Sequence, residues 1–391
     1  MHRDVTGRYE STSTAGESVQ AFVPSPLPPN PPLRLEGALQ DLHHQALLQC
    51  GRLDGVAAVL PNPDLFLYTY VRREALLSSQ IEGTQSSLSD LLLFELDETP
   101  GVPFNDVVEV SSYVDGLMHG LDRMQELPLS CRLLRDIHKK LLARGRGADR
   151  LPGEFRRSQN WIGGTRPGNA YFVPPPPALV EECMGKLEMF INGGHSAQHG
   201  LPPLVRAALA HVQFETIHPF LDGNGRLGRL LIVLMLVEAG ILEKPLLYLS
   251  LFFKEHRSRY YELLDNVRQS GDWEAWLEFF LEGVVNTASA AVLMAQRLQE
   301  LFHLDQKKVE ELPGGVRLSR LQCYMALCRR PIVNITELKN LTGLSFHTAN
   351  KSIEDLVGIG IARELTGGRR NRLFAYSAYL DMLNEGVTPL S

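Results

Sequence analysis

The run Ile217-His218-Pro219-Phe220-Leu221-Asp222-Gly223-Asn224-Gly225-Arg226-Leu227-Gly228-Arg229 gathers a base, a carboxylate, small residues and two guanidiniums in one stretch. His218 is the only side chain in it able to accept a proton at neutral pH. Asp222 offers a hard oxygen of the kind that suits Mg²⁺ shared with phosphate oxygens. Gly223 and Gly225 flank Asn224, so the backbone can turn left-handed and approach a ligand with no Cβ in the way. A helix starting near Gly225 or Arg226 aims its first amides and the positive end of its dipole at the same place. Arg226 and Arg229, three apart with Leu227 and Gly228 between them, add two forks on one side of that helix. Such a set makes a cradle for polyphosphate beside a base, which is the equipment of phosphoryl or nucleotidyl transfer. Taken singly, each residue has a plainer reading: a helix-terminal histidine, a capping aspartate, a turn at Gly-Asn-Gly. As a whole the run answers one mechanism.

To hold His218 there, a helix must stop at it. Leu204, Ala208 and Phe214 mark the apolar side of that helix, and Pro219 ends it. Helical spacing also predicts helices over residues 130–144 and 178–192. Between these two, Asn160-Trp161-Ile162 and Tyr171-Phe172-Val173 read as a short hairpin that Pro174 to Pro177 stop. Residues 34 to about 125 read as a helical region punctuated at Pro61, Pro63 and residues 98–101, and long helices follow Pro203 to about Phe302, broken at residues 223–228 and near Gly240 and Gly271. Residues 1–33 are rich in Ser, Thr and Gly and then in Pro, which reads as a disordered tail and an extended strap. The strap either lies on the protein's own surface or is a polyproline ligand for a partner. Pro313-Gly314-Gly315 marks a boundary before a last segment.

The 391 residues suffice for two or three domains. An apolar fraction of 44% and a charged fraction of 21% describe an ordinary folding chain. No unbroken apolar stretch approaches the length that spans a bilayer, and the N-terminus lacks the apolar core of a secretory signal. Five cysteines with no paired zinc spacing read as reduced thiols. These features place the chain in the cytoplasm, away from membranes. The net charge of −6 gives no global pull toward nucleic acid.

The central run resembles the signature of the Fic family, His-Pro-Phe-x-(Asp/Glu)-Gly-Asn-Gly-Arg-x-x-Arg, and matches every defined position. The similarity extends over roughly residues 35–290. It implies a mainly α fold: a Fic-type helical core over 126–302 with a β-hairpin flap, preceded by an inhibitory helical region over 34–125. It further implies that His218 deprotonates a target hydroxyl and that Asp222 binds Mg²⁺ between the α- and β-phosphates of ATP. Asn224 and the glycine amides would hold those phosphates, and Arg226 and Arg229 would neutralise charge toward the β- and γ-phosphates. AMP would pass to a Ser, Thr or Tyr of a target protein, the chain itself included. Trp161, Ile162, Gly163, Gly164, Phe172 and Val173 of the flap would register the target by main-chain pairing, unless the hairpin is only surface structure. Tyr261 resembles a family tyrosine near the adenine, with a core tyrosine as the alternative. Relatives that move UMP or phosphocholine, or that remove AMP, leave the group transferred open, and a homodimer remains open too.

Ser78-Ser79-Gln80-Ile81-Glu82-Gly83 places Ser78 and Glu82 on one helix face, with Gly83 able to end the helix. By itself this is a capped polar face. It also resembles the family's inhibitory motif, (Ser/Thr)-x-x-x-Glu-(Gly/Asn), whose glutamate pairs with the second arginine, here Arg229. Breaking a partly buried pair of that kind costs about 2–4 kcal/mol, which corresponds to roughly 30- to 1000-fold repression.

Residues 316–378 read as three helices and two short strands and resemble a winged helix. His347, Thr348, Asn350 and Lys351 would then face a DNA major groove, with Arg369, Arg370 and Arg372 on phosphates. The same fold also serves for protein docking. The alternative function is therefore a DNA-binding regulator whose Fic core senses nucleotide.

Overall fold

The computed structural model describes residues 3–59, 63–96, 103–193, 200–314, 316–367 and 371–385. The chain opens with an antiparallel hairpin, β1 (Gly7–Thr14) and β2 (Glu17–Pro24), turned at Ala15 and Gly16, both at positive φ. This corrects the expectation of a disordered tail. Its Ser/Thr-rich composition suits a strand as well as a coil, and β2 has a surface to bury against. Val19, Ala21, Phe22 and Val23 are buried, and the Phe22 amide donates to the Val173 carbonyl at 2.9 Å. Buried Arg3 forks onto Glu274 at 2.6 and 2.7 Å and donates to the carbonyls of Pro31 and Pro32. The proline-rich stretch is thus a strap on the protein's own surface.

Helices α1 (Ala38–Val59), α2 (Pro63–Ile81), α3 (Leu88–Phe94) and α4 (Phe104–Arg123) follow. Next come α5 (Cys131–Leu141), capped by the Ser130 side chain, and α6 (Val180–Asn192). At the centre lie α7 (Pro203–Ile217) and α8 (Asn224–Glu238), packed against each other. Every residue of α7 from Leu204 to Ile217 is buried, the mark of a helix surrounded by others. α9 (Ser250–Glu255), α10 (Arg257–Ser270) and α11 (Trp273–Glu311) complete this body. α11 runs 39 residues, straight through the expected boundary at 302. By length and composition alone it could cross a membrane, but more than half of its apolar window is buried against the rest of the fold, as in a core helix.

The last segment contains α12 (Arg317–Arg329), β3 (Ile332–Asn334), α13 (Ile335–Thr342), α14 (Phe346–Gly358), β4 (Arg363–Glu364) and β5 (Leu373–Ala375). The strands form one antiparallel sheet in the order β3-β5-β4, one strand more than expected. A further helix, α15 (Ser377–Asn384), extends past the expected end at 378. It returns to α2, where Thr69 and Tyr379 share a buried hydrogen bond of 2.8 Å. Ser345 caps α14 as its sequence position suggests. Arg372 is not free to meet phosphate. It is held by Glu354 and Glu364 at 2.7 Å each, and the Asn350 side chain is drawn into the same group. Arg369 and Arg370 lie outside the described residues.

Candidate active site

α7 ends at His218, whose backbone is left-handed, with φ 49° and ψ 61°. Pro219 cannot continue the helix, so the chain turns there into the loop that leads to α8. Asn224 clamps this loop: its side chain accepts from the Phe220 amide and donates to the Phe220 carbonyl, both at 2.9 Å. That side chain is engaged within the loop, and Asn224 also sets its main-chain amide at the start of α8. Gly223 sits at φ 74°, where a β-carbon would be strained. A β-carbon on Gly225 would collide with the Glu82 carboxylate. The first amides of α8 have no partner within the helix and stand ready for an anion.

Arg156 was not legible as a site residue, yet it organises the loop. It is fully buried and donates to the carbonyls of His218 at 2.9 Å, Pro175 at 2.5 Å and Ser158 at 3.2 Å. Asn160 adds a hydrogen bond to the Phe220 carbonyl at 2.9 Å. Burial, and next the charge of Arg156, push the His218 imidazole down to about 4, so it is neutral and able to accept a proton. Its Nδ1 is buried with no hydrogen-bond partner among the described residues. His138 supports the loop from below, stacked on Phe220 with ring centroids 3.7 Å apart. Gly153 donates to its Nδ1, so Nε2 carries the proton and donates to the Asp222 carbonyl at 3.0 Å.

The Asp222 carboxylate is partly exposed at 37%. Its Oδ1 accepts from the Gly223 amide at 2.6 Å, while Oδ2 faces Gly147, where a β-carbon would come within 2.9 Å. A single hard carboxylate fits a Mg²⁺ ion whose other ligands are phosphate and water. It does not make an all-protein cage, and the described residues contain no cluster of three metal-ligating side chains.

Arg226 and Arg229 are both buried, but their surroundings differ. Arg226 lies 2.9 Å from Glu109 and 3.4 Å from Asp222, so its guanidinium is held beside the carboxylate loop. Glu109, which also binds Arg146 at 2.9 Å, gave no signal beyond a charge on a helix. Arg229 donates through Nε to the Ser78 hydroxyl at 2.9 Å, and through Nη2 to the Ser78 carbonyl at 3.0 Å and to Glu82 at 2.8 Å. Glu82 sits just past α2, in a turn that Gly83 closes at φ 100°. Burial works to raise the Glu82 carboxyl, but Arg229, with help from Arg226 and His218, holds it below the usual carboxylate range.

Tyr260 is a core residue, bonded to His211 at 2.8 Å. Tyr261 is 42% exposed, and the charges of Glu82 and Arg229 both reach its hydroxyl. The flap is not a regular hairpin. Its one bridge is Ile162–Phe172, and a single 3-10 turn fills Pro167–Asn169. Gly163 and Gly164 both turn left-handed, and the prolines that follow Val173 have no amide to extend a ladder. Trp161 is exposed, while Phe172 lies under the Arg268 guanidinium at 3.9 Å. Because β2 occupies the Val173 carbonyl, that position is closed to a target strand.

A neutral imidazole, a glycine-lined helix start and a guanidinium engaged by a carboxylate thus meet at one place. Residues 40–122 match the model of the Fic/DOC family N-terminal region, and residues 128–236 match that of the Fic/DOC family. The chain thus carries a Fic/DOC family domain, preceded by the N-terminal region of that family. It is 30% identical over 216 residues to the protein adenylyltransferase Fic of Drosophila sechellia, covering 55% of this chain and 39% of the relative. The Drosophila virilis protein of the same name is 34% identical over 205 residues, covering 52% and 38%. The chain thus spans about two fifths of the length of the curated relatives it matches. Its fold is similar to that of a Fic family protein from Desulfovibrio desulfuricans, with TM-score 0.56, 18% identity and coverage of 88% of this chain and 97% of that one. It is also similar to a Fic-domain-containing signaling protein from Bacteroides thetaiotaomicron, with TM-score 0.54, 21% identity and coverage of 64% and 97%.

Proposed function

We propose that the protein is an adenylyltransferase that moves AMP from ATP to a hydroxyl of a target protein, and that Glu82 represses it. The observation that carries this reading is the neutral His218 imidazole, set beside the amide-lined start of α8 and next to an Arg229 that Glu82 engages. His218 takes the proton of the target Ser, Thr or Tyr, and the hydroxyl oxygen bonds to the α-phosphorus. The bond from that phosphorus to the bridging oxygen breaks, and pyrophosphate leaves. The α8 amides and Arg229 stabilise the charge on the phosphates, usually the largest catalytic contribution in phosphoryl transfer. Asp222 would hold Mg²⁺, which supplies further charge neutralisation when bound. The names of the Drosophila relatives support AMP as the group transferred. Five free cysteines agree with a reducing, cytoplasmic setting.

The test is incubation of wild type and Glu82→Gly with ATP labelled at the α- or the γ-phosphate, followed by intact-mass analysis. Label from the α-position alone, with an added mass of AMP, supports the reading. Label from the γ-position would make the protein a kinase, and none from either would leave it a nucleotide sensor. For the C-terminal segment we favour protein docking over DNA binding, since Arg372 and Asn350 are tied to Glu354.

A further inference from the structure

Away from the Fic site, a cavity of about 290 Å³ opens between α2, α9 and α11. Arg73 and Glu74 of α2, and Tyr248 just before α9, line it and are 9%, 2% and 4% exposed. Arg73 Nε, Glu74 Oε2 and the Tyr248 hydroxyl are buried without a hydrogen-bond partner among the described residues. Another atom of each charged group is engaged. Arg73 Nη2 donates to the Glu385 carbonyl at 2.6 Å, and Glu74 Oε1 accepts from the hydroxyls of Tyr113 and Ser250. Buried polar atoms are nearly always bonded, so three orphans on one cavity wall point to a molecule that completes them.

Their types specify its chemistry. Glu74 needs a donor, Arg73 needs an acceptor, and the Tyr248 hydroxyl takes either. The rings of Tyr70, Tyr248 and Phe252 also line it, and Glu255 adds a second carboxylate. Aromatic faces with two carboxylates against one guanidinium favour a cation. We propose that this cavity is a binding site for a small hydroxylated aromatic amine, with its ammonium on Glu74 and its hydroxyl on Arg73. Burial also raises the Glu74 carboxyl to about 7, so an arriving ammonium would complete its ionisation.

The site shares α2 with the repressing contact, since Ser78, which holds Arg229, is one turn beyond Glu74. The cavity is present while Glu82 and Arg229 are paired, so an occupant favours that state over one in which α2 has moved. This coupling rests on the reading of Glu82 as a repressor.

Calorimetric titration of the full chain with tyramine tests the site, with hydroxyphenylpropionate as the anion of the same frame. Tyramine should saturate one site with Kd at or below about 1 mM, at least about tenfold tighter than the anion. Ala290→Trp, at an exposed position on the cavity wall, should remove that binding. Tyramine should also lower the residual self-modification of wild type and leave Glu82→Gly unchanged. No saturable binding, binding that survives Ala290→Trp, or equal binding of the anion overturns the site. Binding with no effect on wild type overturns the coupling. The calorimetric signal needs no nucleotide transfer, so a chain without transferase activity would refute the function proposed above and leave the site standing.

Discussion

Glu82 and Arg229 meet at 2.8 Å across 147 residues of sequence, in the place where α8 begins and its amides face outward. One substitution should therefore raise activity, which mutations rarely do by accident. Glu82→Gly should incorporate AMP into itself or a target at least about tenfold faster than wild type, a threshold set just under the roughly 30-fold lower end of the repression expected of such a pair. Adding His218→Ala should silence it. Equal or lower activity in Glu82→Gly, with the fold intact by circular dichroism, would reduce residues 78–83 to a capped helix end.

Arg229→Ala should weaken ATP binding by about 10- to 100-fold, the range of a lost charge-assisted hydrogen bond. The comparison belongs in the Glu82→Gly background, where no carboxylate is left unpaired. Titration calorimetry reads it directly, and an unchanged affinity would remove Arg229 from the phosphate site.

The pH dependence has a definite sign. A base works in its neutral form, and the His218 value is pushed down from 6.5 to about 4. In Glu82→Gly the raising influence of the Glu82 charge is also gone. The kcat/KM of that variant, which reports the free enzyme, should thus stay level as pH falls through 6.5 and drop only well below it. An acid limb centred at the ordinary histidine value would place His218 in water.

Arg156→Lys should cost both stability and rate. A lysine ammonium cannot span the carbonyls of Ser158, Pro175 and His218 that one planar guanidinium reaches. Two carbonyls left unpaired predict a loss of about 2–4 kcal/mol in urea unfolding. In the Glu82→Gly background, kcat should fall while ATP affinity changes by no more than about a few-fold, because Arg156 orients the base and not the phosphates. Equal losses in both would make it a phosphate ligand.

The run from His218 to Arg229 was legible because its chemistry is contiguous and each residue type answers a need of phosphate transfer. Glu82 was legible through a short motif, although its partner lies on another helix. Arg156 was not, because its partners are backbone carbonyls, which any residue supplies. Glu109 and His138 gave no signal for a different reason: their roles arise only when α4, α5 and the loop before α8 meet. Asn224 was legible as part of the phosphate run, but its second role, bonding both ways to the Phe220 backbone, was not, because those partners are again main-chain groups. The N-terminal hairpin was missed because Ser, Thr and Gly suit coil and edge strand alike. What decided between them was the Val173 carbonyl, 151 positions beyond the Phe22 amide that it accepts from.

That hairpin bears on how the protein should be handled at the bench. A shortened chain starting at Arg34 would look sensible from composition alone, since the stretch it discards is rich in Ser, Thr, Gly and Pro. It would strip β2 from Val173 and release Glu17 from Arg166 and from the Gly168 amide. It would also leave Glu274 without Arg3. Such a trimmed version would keep every residue of the signature and still report on target selection with its flap unsupported, so substrate screens should retain residues 1–33.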